Sequence, residues 1–275
     1  MVWRVCASLL RLASWILVIC LLLGQAGSAS AAPRPGHGQP AMGAAPAAGA
    51  AVDAVLQQLT LAQKVAQVMM VAFAGPALTP DVREMVGQYG VGGVILFQDN
   101  IGTLIPQQVL ELTTELQALA TTDGAGIPLL IAVDQEGGPV NRANTGTTIL
   151  PGTMALGAAA SETLAYEAAR AVGRELRAMG INMNLAPVVD VNSNPRNPVR
   201  SFGADPALAG RLGAATVRGY QDGGVLAVAK HFPGHGDTDV DSHLDLPVIR
   251  HGLERLEAVE FPPFRAAISA GVAGV

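Results

Sequence analysis

Residues 230–247 read KHFPGHGDTDVDSHLDLP and hold three histidines, four aspartates and one lysine directly after an apolar run. So many titratable groups are costly to keep at a strand end unless chemistry uses them. Asp241 and His243 stand two residues apart, so in an extended segment both side chains fall on one side. An aspartate that accepts a hydrogen bond from one imidazole nitrogen fixes the tautomer and raises the basicity of the ring. That combination is a general acid/base unit. Pro233, Gly234 and Gly236 make the segment a shaped loop, not a helix. Two other readings are open to the same residues. His231, His235 and His243 with Asp237 include donors for a metal, without the rigid helical spacing of a motif such as HExxH. A solvated polar loop with no chemical task is the third.

Three further segments put polar groups at the ends of apolar runs. Residues 134–142, DQEGGPVNR, offer two acids before a glycine pair, which suits a tight turn with carboxylates aimed at a ligand, or a solvated turn with a capping aspartate. In 182–190, polar residues interrupt a strand, and Asn184 and Asp190 are placed to support a site. In 196–202, Arg200 is either a fork-shaped clamp for an anion or hydroxyls, or a surface arginine.

These segments need a scaffold that brings them together. The chain alternates short apolar runs with amphipathic stretches. Strands are expected at 68–73, 93–97, 128–134, 182–189 and 225–230, and helices at 81–89, 104–121, 161–179 and 206–221. Thr60 and Gln63 form a capping box ahead of an earlier helix, and Gly180 suits a helix C-terminus. A last helix should start near Leu253, with Pro262-Pro263 breaking or kinking it near its start, and a sixth strand should open at Val272. Repeated βα units imply an α/β fold with a parallel sheet, either an eight-fold barrel or a doubly wound sheet. In both, sites are built at the C-terminal strand ends.

The N-terminus has a different character. Arg4 and Arg11 precede an apolar run at 15–23, and Ala29-Ser30-Ala31 offers a cleavage site before Ala32. This is the layout of a secretory signal peptide over residues 1–31, the alternative being a membrane anchor. Both cysteines, Cys6 and Cys20, and both tryptophans, Trp3 and Trp15, lie within it, so the mature chain would have neither disulfides nor Trp platforms. Its removal takes two arginines and no acids, moving the formal charge from −5 to −7. That argues against nucleic acid or an anionic membrane surface as partner. Residues 32–50, rich in Ala, Pro and Gly, read as a disordered linker, with order beginning near Val52 and a catalytic domain over residues 51–275.

The signature KHFPGHGDT…DSH…LP resembles that of bacterial β-N-acetylglucosaminidases in glycoside hydrolase family 3. VGGVILF at 91–97, AVDQEGG at 132–138, APVVDVN at 186–192 and RSF at 200–202 agree in order. The resemblance implies a (β/α)8 TIM-type barrel, incomplete here at about five βα units plus the start of a sixth strand. It implies an exo-acting retaining hydrolase that removes terminal β-linked N-acetylglucosamine from peptidoglycan fragments or chitooligosaccharides. By position, His243 is the acid/base and Asp241 its partner, while Asp134, Arg142, Arg200, Lys230 and His231 hold sugar hydroxyls. No metal or organic cofactor is implied, and the only partner expected is the glycan, with no nucleic acid and no stable protein partner. Pro139 and Asn141 depart from the residues relatives often carry in the turn. The nucleophilic aspartate is expected beyond residue 275, so the chain as it stands is expected to be inactive and not stably folded. Two alternatives remain: a non-catalytic sugar-binding remnant, and a metal-dependent hydrolase using the histidine cluster.

Overall fold

The computed structural model describes residues 17–18, 45–194, 200–238 and 247–275. Five parallel strands, β2 (Met69–Val71), β3 (Gly93–Leu96), β4 (Leu130–Val133), β5 (Met183–Asn184) and β6 (Leu226–Ala227), stand side by side in chain order. The two residues Leu17–Val18, β1, lie antiparallel on β2. Gly93 pairs with Met70 and Leu130, and Met183 pairs with Ala132 and Leu226. A doubly wound sheet reverses its strand order at a switch point, and no reversal occurs here. Strands that follow one another without reversal, each linked through helix, make a sheet of barrel type. The sixth strand expected at Val272 begins beside β6: Ala229 N–H donates to Gly274 O at 3.0 Å, and Ala273 N–H to Ala227 O at 3.1 Å.

The period-two alternation of the strands divides the apolar residues between the two faces. Met70, Ile95, Ala132, Met183 and Val228 form a cluster on the inner face. Val94, Leu96, Ile131, Val133 and Ala227 point the other way and join the larger core beneath the helices. That outer layer includes α5 (Pro106–Thr122), α7 (Glu162–Ala178) and α8 (Pro206–Asp222), which contribute buried Leu112, Leu116, Val172, Leu176, Leu212 and Val217. Ser161 caps α7 by accepting from Leu164 N–H, and Asp205 caps α8 by accepting from Ala207 N–H. Helices α7 and α8 approach closely because Gly219 has no side chain: a Cβ there would run into the Tyr166 carbonyl oxygen.

Earlier elements are α1 (Ala45–Gln58), α2 (Leu61–Gln67), α3 (Pro80–Arg83), which continues as a π-helical turn through Glu84–Tyr89, and α4 (Gln98–Ile101). Helix α6 (Thr153–Ala159) precedes α7. The last helical region runs from α9 (Leu253–Arg255) through a π-helical turn (Leu256–Glu260) into α10 (Phe261–Ser269). The capping box at Thr60 and Gln63 is formed.

Three features differ from the sequence expectation. Helix α1 begins at Ala45, inside the stretch assigned to a linker, as its alanines favour. The prolines at 262–263 do not end the last helix: they sit in the first turn of α10, where the missing N–H groups need no partner. The strand expected over 182–189 is only Met183–Asn184, because Pro187 cannot donate to the ladder. Pairing resumes beyond it, where Val189 N–H donates to Lys230 O at 2.9 Å and Lys230 N–H to Pro187 O at 3.1 Å.

Candidate active site

The C-terminal ends of β4, β5 and β6 bring together Asp134 and Glu136, Asn184 and Asp190, and Lys230 and His231. The turn after β4 closes because Gly137 and Gly138 take φ values of 90° and 60°, which side chains other than glycine's rarely tolerate. Asn141 locks it. Its Oδ1 accepts from Gly137 N–H at 3.2 Å, and its Nδ2 donates to Gly138 O at 2.7 Å. Gln135, between the two acids, points into the protein, where its Oε1 accepts from the N–H groups of Arg142 and Ala143. Asn184 holds both sides of the Gln135 backbone, at 3.0 Å each. The buried Tyr220 hydroxyl donates to Gln135 O at 3.3 Å. Burial, and then the charge of Glu136, push that phenol far above its ordinary pKa, so it stays a donor.

With the backbone fixed, the acids meet their cations. Lys230 Nζ is 2.5 Å from Asp134 Oδ1 and 2.7 Å from Glu136 Oε1. Arg200 engages Glu136 with two nitrogens: Nε donates to Oε2 at 2.8 Å and Nη2 to Oε1 at 2.5 Å. Burial opposes ionisation of Glu136, but the Arg200 fork and the Lys230 charge outweigh it and hold the carboxyl below its usual range. The same contact with Glu136, against the opposing effect of burial, raises the Arg200 guanidinium. Arg142 stands more loosely. Its Nη2 is 3.8 Å from Asp134, its guanidinium lies 5.8 Å from the centre of the Phe97 ring, and its buried Nε has no hydrogen-bond partner. A donor is thus left unspent beside the Asp134 carboxylate.

The loop after β6 is held by Asp190. Oδ2 lies 2.7 Å from His231 Nδ1, and Oδ1 accepts from the N–H groups of His231 and His235 at 3.1 and 2.8 Å. Burial raises the Asp190 pKa, but these contacts reverse the effect and leave it lowered. A carboxylate on Nδ1 leaves Nε2 of His231 as the edge that faces a ligand. The loop packs tightly: a Cβ at Gly236 would strike the Val191 carbonyl oxygen. Phe232 stacks on Phe261 and meets Phe264 edge-on.

The structure therefore brings together Asp134, Arg142, Arg200, Lys230 and His231 and places Asn184 and Asp190 in support. Arg200 makes a contact the sequence did not show: Nε and Nη2 of its fork engage Glu136, because a buried carboxylate needs a paired cation. Glu136 is the residue sequence reasoning passed over as a site member. Its spacing of two from Asp134, on the same side of an extended segment, was the signal that could have found it. Asp241 and His243 lie outside the described residues, as does His243 of the suggested metal set. Among the described residues, no group of three or more His, Cys, Asp or Glu converges as metal ligands. A groove of about 400 Å³ between α8 and α10, lined by Glu162, Arg211, Arg218 and Ser269, shares no residue with the cluster.

A barrel-type parallel sheet with paired carboxylates and cations at its C-terminal strand ends defines a domain of TIM-barrel type. The chain belongs to glycosyl hydrolase family 3, whose N-terminal domain matches residues 60–275. It is 42% identical over 205 residues to a β-hexosaminidase A from Pseudoalteromonas piscicida, covering 72% of this chain and 34% of that one. It is 39% identical over 215 residues to a β-hexosaminidase of Thiobacillus denitrificans, covering 75% of this chain and 58% of the relative. Among solved structures, the family 3 β-N-acetylglucosaminidase of a Paenibacillus species superposes with a TM-score of 0.74 at 52% identity, covering 78% of this chain and 41% of that one. The chain thus spans between a third and three fifths of the length of these two curated relatives.

Proposed function

We propose that this protein hydrolyses terminal β-linked N-acetylglucosamine from peptidoglycan fragments or chitooligosaccharides. The observation that carries the reading is the strand-end cluster. Asp134, Lys230 and His231 stand with Arg142 at the C-terminal strand ends, and the charges of Asp134, Lys230 and Arg142 are already paired within the protein. A neutral polyol with several hydroxyls suits such a site, because it can accept from the cations and donate to the carboxylates without bringing a charge of its own. The β-hexosaminidase names of the relatives support the same substrate class.

The reaction is a retaining, two-step displacement. A carboxylate attacks the anomeric carbon while the acid/base group gives a proton to the departing oxygen. Water then releases the sugar as that group takes a proton back. His243, oriented by Asp241, fills the acid/base role in this reading. A histidine there adds no negative charge beside the attacking carboxylate, unlike a second acid. Asp134, Arg142, Arg200, Lys230 and His231 hold the sugar, and Glu136 keeps Lys230 and Arg200 in place. The segment 1–31 directs export and is removed before Ala32, so the enzyme works outside the cytoplasm.

The test is turnover of aryl glycosides by the protein produced from its complete gene. Cleavage of the β-N-acetylglucosaminide ahead of the matching β-glucoside is expected. Faster cleavage of the glucoside would move the protein to another substrate class. Binding of N-acetylglucosamine without cleavage of either would make it a sugar-binding module.

A further inference from the structure

The chain leaves β4 after Val133, turns at Gly137–Gly138 and returns past Arg142, so Asp134 and Arg142 sit on the two arms of one turn. Near the tip the arms are joined through the main chain, where Glu136 N–H donates to Val140 O at 2.9 Å. Farther from the tip a side chain joins them. Gln135 Oε1 accepts from Arg142 N–H at 2.9 Å and from Ala143 N–H at 3.1 Å, and Gln135 Nε2 donates to Ala143 O at 3.1 Å. Gln135 is 3% exposed, so water does not compete for these bonds. Its own backbone is anchored from two other elements. Asn184 on β5 pairs with its N–H and its carbonyl at 3.0 Å each, and Tyr220 on α8 donates to the same carbonyl at 3.3 Å.

The task suits an amide on a two-carbon stem. Two N–H groups need an acceptor, and one carbonyl needs a donor. Asparagine is one methylene short, ionised glutamate cannot donate, and methionine has the length without the hydrogen-bonding groups. We propose that Gln135 is a positioning residue that sets the backbone of Arg142 against Asp134 and so decides where the guanidinium stands. The Arg142 head is weakly anchored by itself: Nη2 is 3.8 Å from Asp134, and the buried Nε has no hydrogen-bond partner. Its place therefore follows that of its Cα. The consequence for sugar binding rests on the function proposed above, whereas the positioning does not.

Two readouts on the protein produced from its complete gene separate these claims. The first is the NMR signal of the Arg142 Nε–H, assigned by its loss in Arg142→Ala. In Gln135→Met this signal shifts and exchanges with water several-fold faster, while the Nε–H of Arg200 keeps its protection. The second is turnover of the aryl β-N-acetylglucosaminide. Gln135→Met raises KM roughly 10–100-fold, the scale of one lost hydrogen bond to a charged group. The kcat stays within about twofold, because a hydroxyl held equally before and during the reaction affects binding alone. In an Arg142→Ala background the same substitution changes KM by less than about twofold, since its route to the sugar is gone. Gln135→Asn, an amide too short to reach residues 142 and 143, gives the same pattern and replaces the methionine variant should that one fail to fold. An unmoved Arg142 signal, or one that moves together with that of Arg200, overturns the positioning role. An equal rise in KM with and without Arg142 overturns it as well. A displaced Arg142 signal with unchanged KM overturns the consequence for sugar binding. A wild-type protein that cleaves no N-acetylglucosaminide brings down the functional reading, and the NMR comparison still decides the positioning role.

Discussion

The cluster around Glu136 and the surface clasp that His251 makes on Asp237, Nε2 to Oδ2 at 2.6 Å, use the same kinds of residue in different surroundings. The Glu136 side chain is 2% exposed and Lys230 15%, and each makes more than one charged contact. Asp237 and His251 are each 26% exposed and meet through a single short contact. Removing one member of the buried cluster strands a charge in a poorly hydrated place, whereas removing one member of the clasp frees a group that water can reach. The first region is therefore expected to govern stability, and the second to contribute little to it.

The largest effect should come from Glu136→Ala, which leaves Arg200 and Lys230 facing a gap. A loss of about 3–5 kcal/mol in urea denaturation is expected for a broken buried pair, and a loss below about 1 kcal/mol would mean the cations find other partners. Acid should weaken the same region by a related route. The carboxyls of Glu136 and Asp190 are lowered in the folded state from ordinary values of 4.5 and 3.8. Their contribution is complete above those values and disappears as pH falls through the lower folded-state values. Denaturation midpoints should drop as pH falls below 4.5, and less steeply in Glu136→Gln. Gly236→Ala comes next. Its methyl group would strike the Val191 carbonyl, and a cost of about 1–3 kcal/mol is expected from the shift this forces on the loop. Tyr220→Phe deletes one hydrogen bond to the Gln135 carbonyl and should cost about 0.5–1.5 kcal/mol. His251→Ala should cost the least in global stability, about 0.2–1 kcal/mol, which a thermal melt would check. A global loss as large as that of Glu136→Ala would erase the distinction between the two regions.

Much of this arrangement was legible in the sequence because it follows from local chemistry. The alternation of Val94, Ile95 and Leu96 gives a strand with two buried faces. The Thr60–Gln63 box and the Gly137–Gly138 turn are each written within a few residues. Asp134, Arg142, Arg200, Lys230 and His231 lie in segments that stand out as polar at the ends of apolar runs, and the family resemblance is what singled them out there. What escaped depends on contacts between distant positions. Glu136 becomes the hub only when Arg200, sixty-four positions away, folds onto it. His251 and Glu260 sit in or near an ordinary amphipathic stretch, and nothing in their spacing shows that they face Asp237 and Gly234. The early start of α1 was missed for another reason: an Ala-rich stretch with Pro and Gly has the composition of a tether and also enough alanine for a helix.

The central claim is that the cross-braced strand ends hold the sugar. A crystal structure of the protein with N-acetylglucosamine tests it most directly. The account predicts sugar hydroxyls within hydrogen-bond distance of Asp134, Lys230 and His231, with Arg142 turned toward the ligand and the Glu136–Arg200 pair intact. A sugar seated in the groove between α8 and α10, with the strand-end cluster making no contact to it, would contradict the claim.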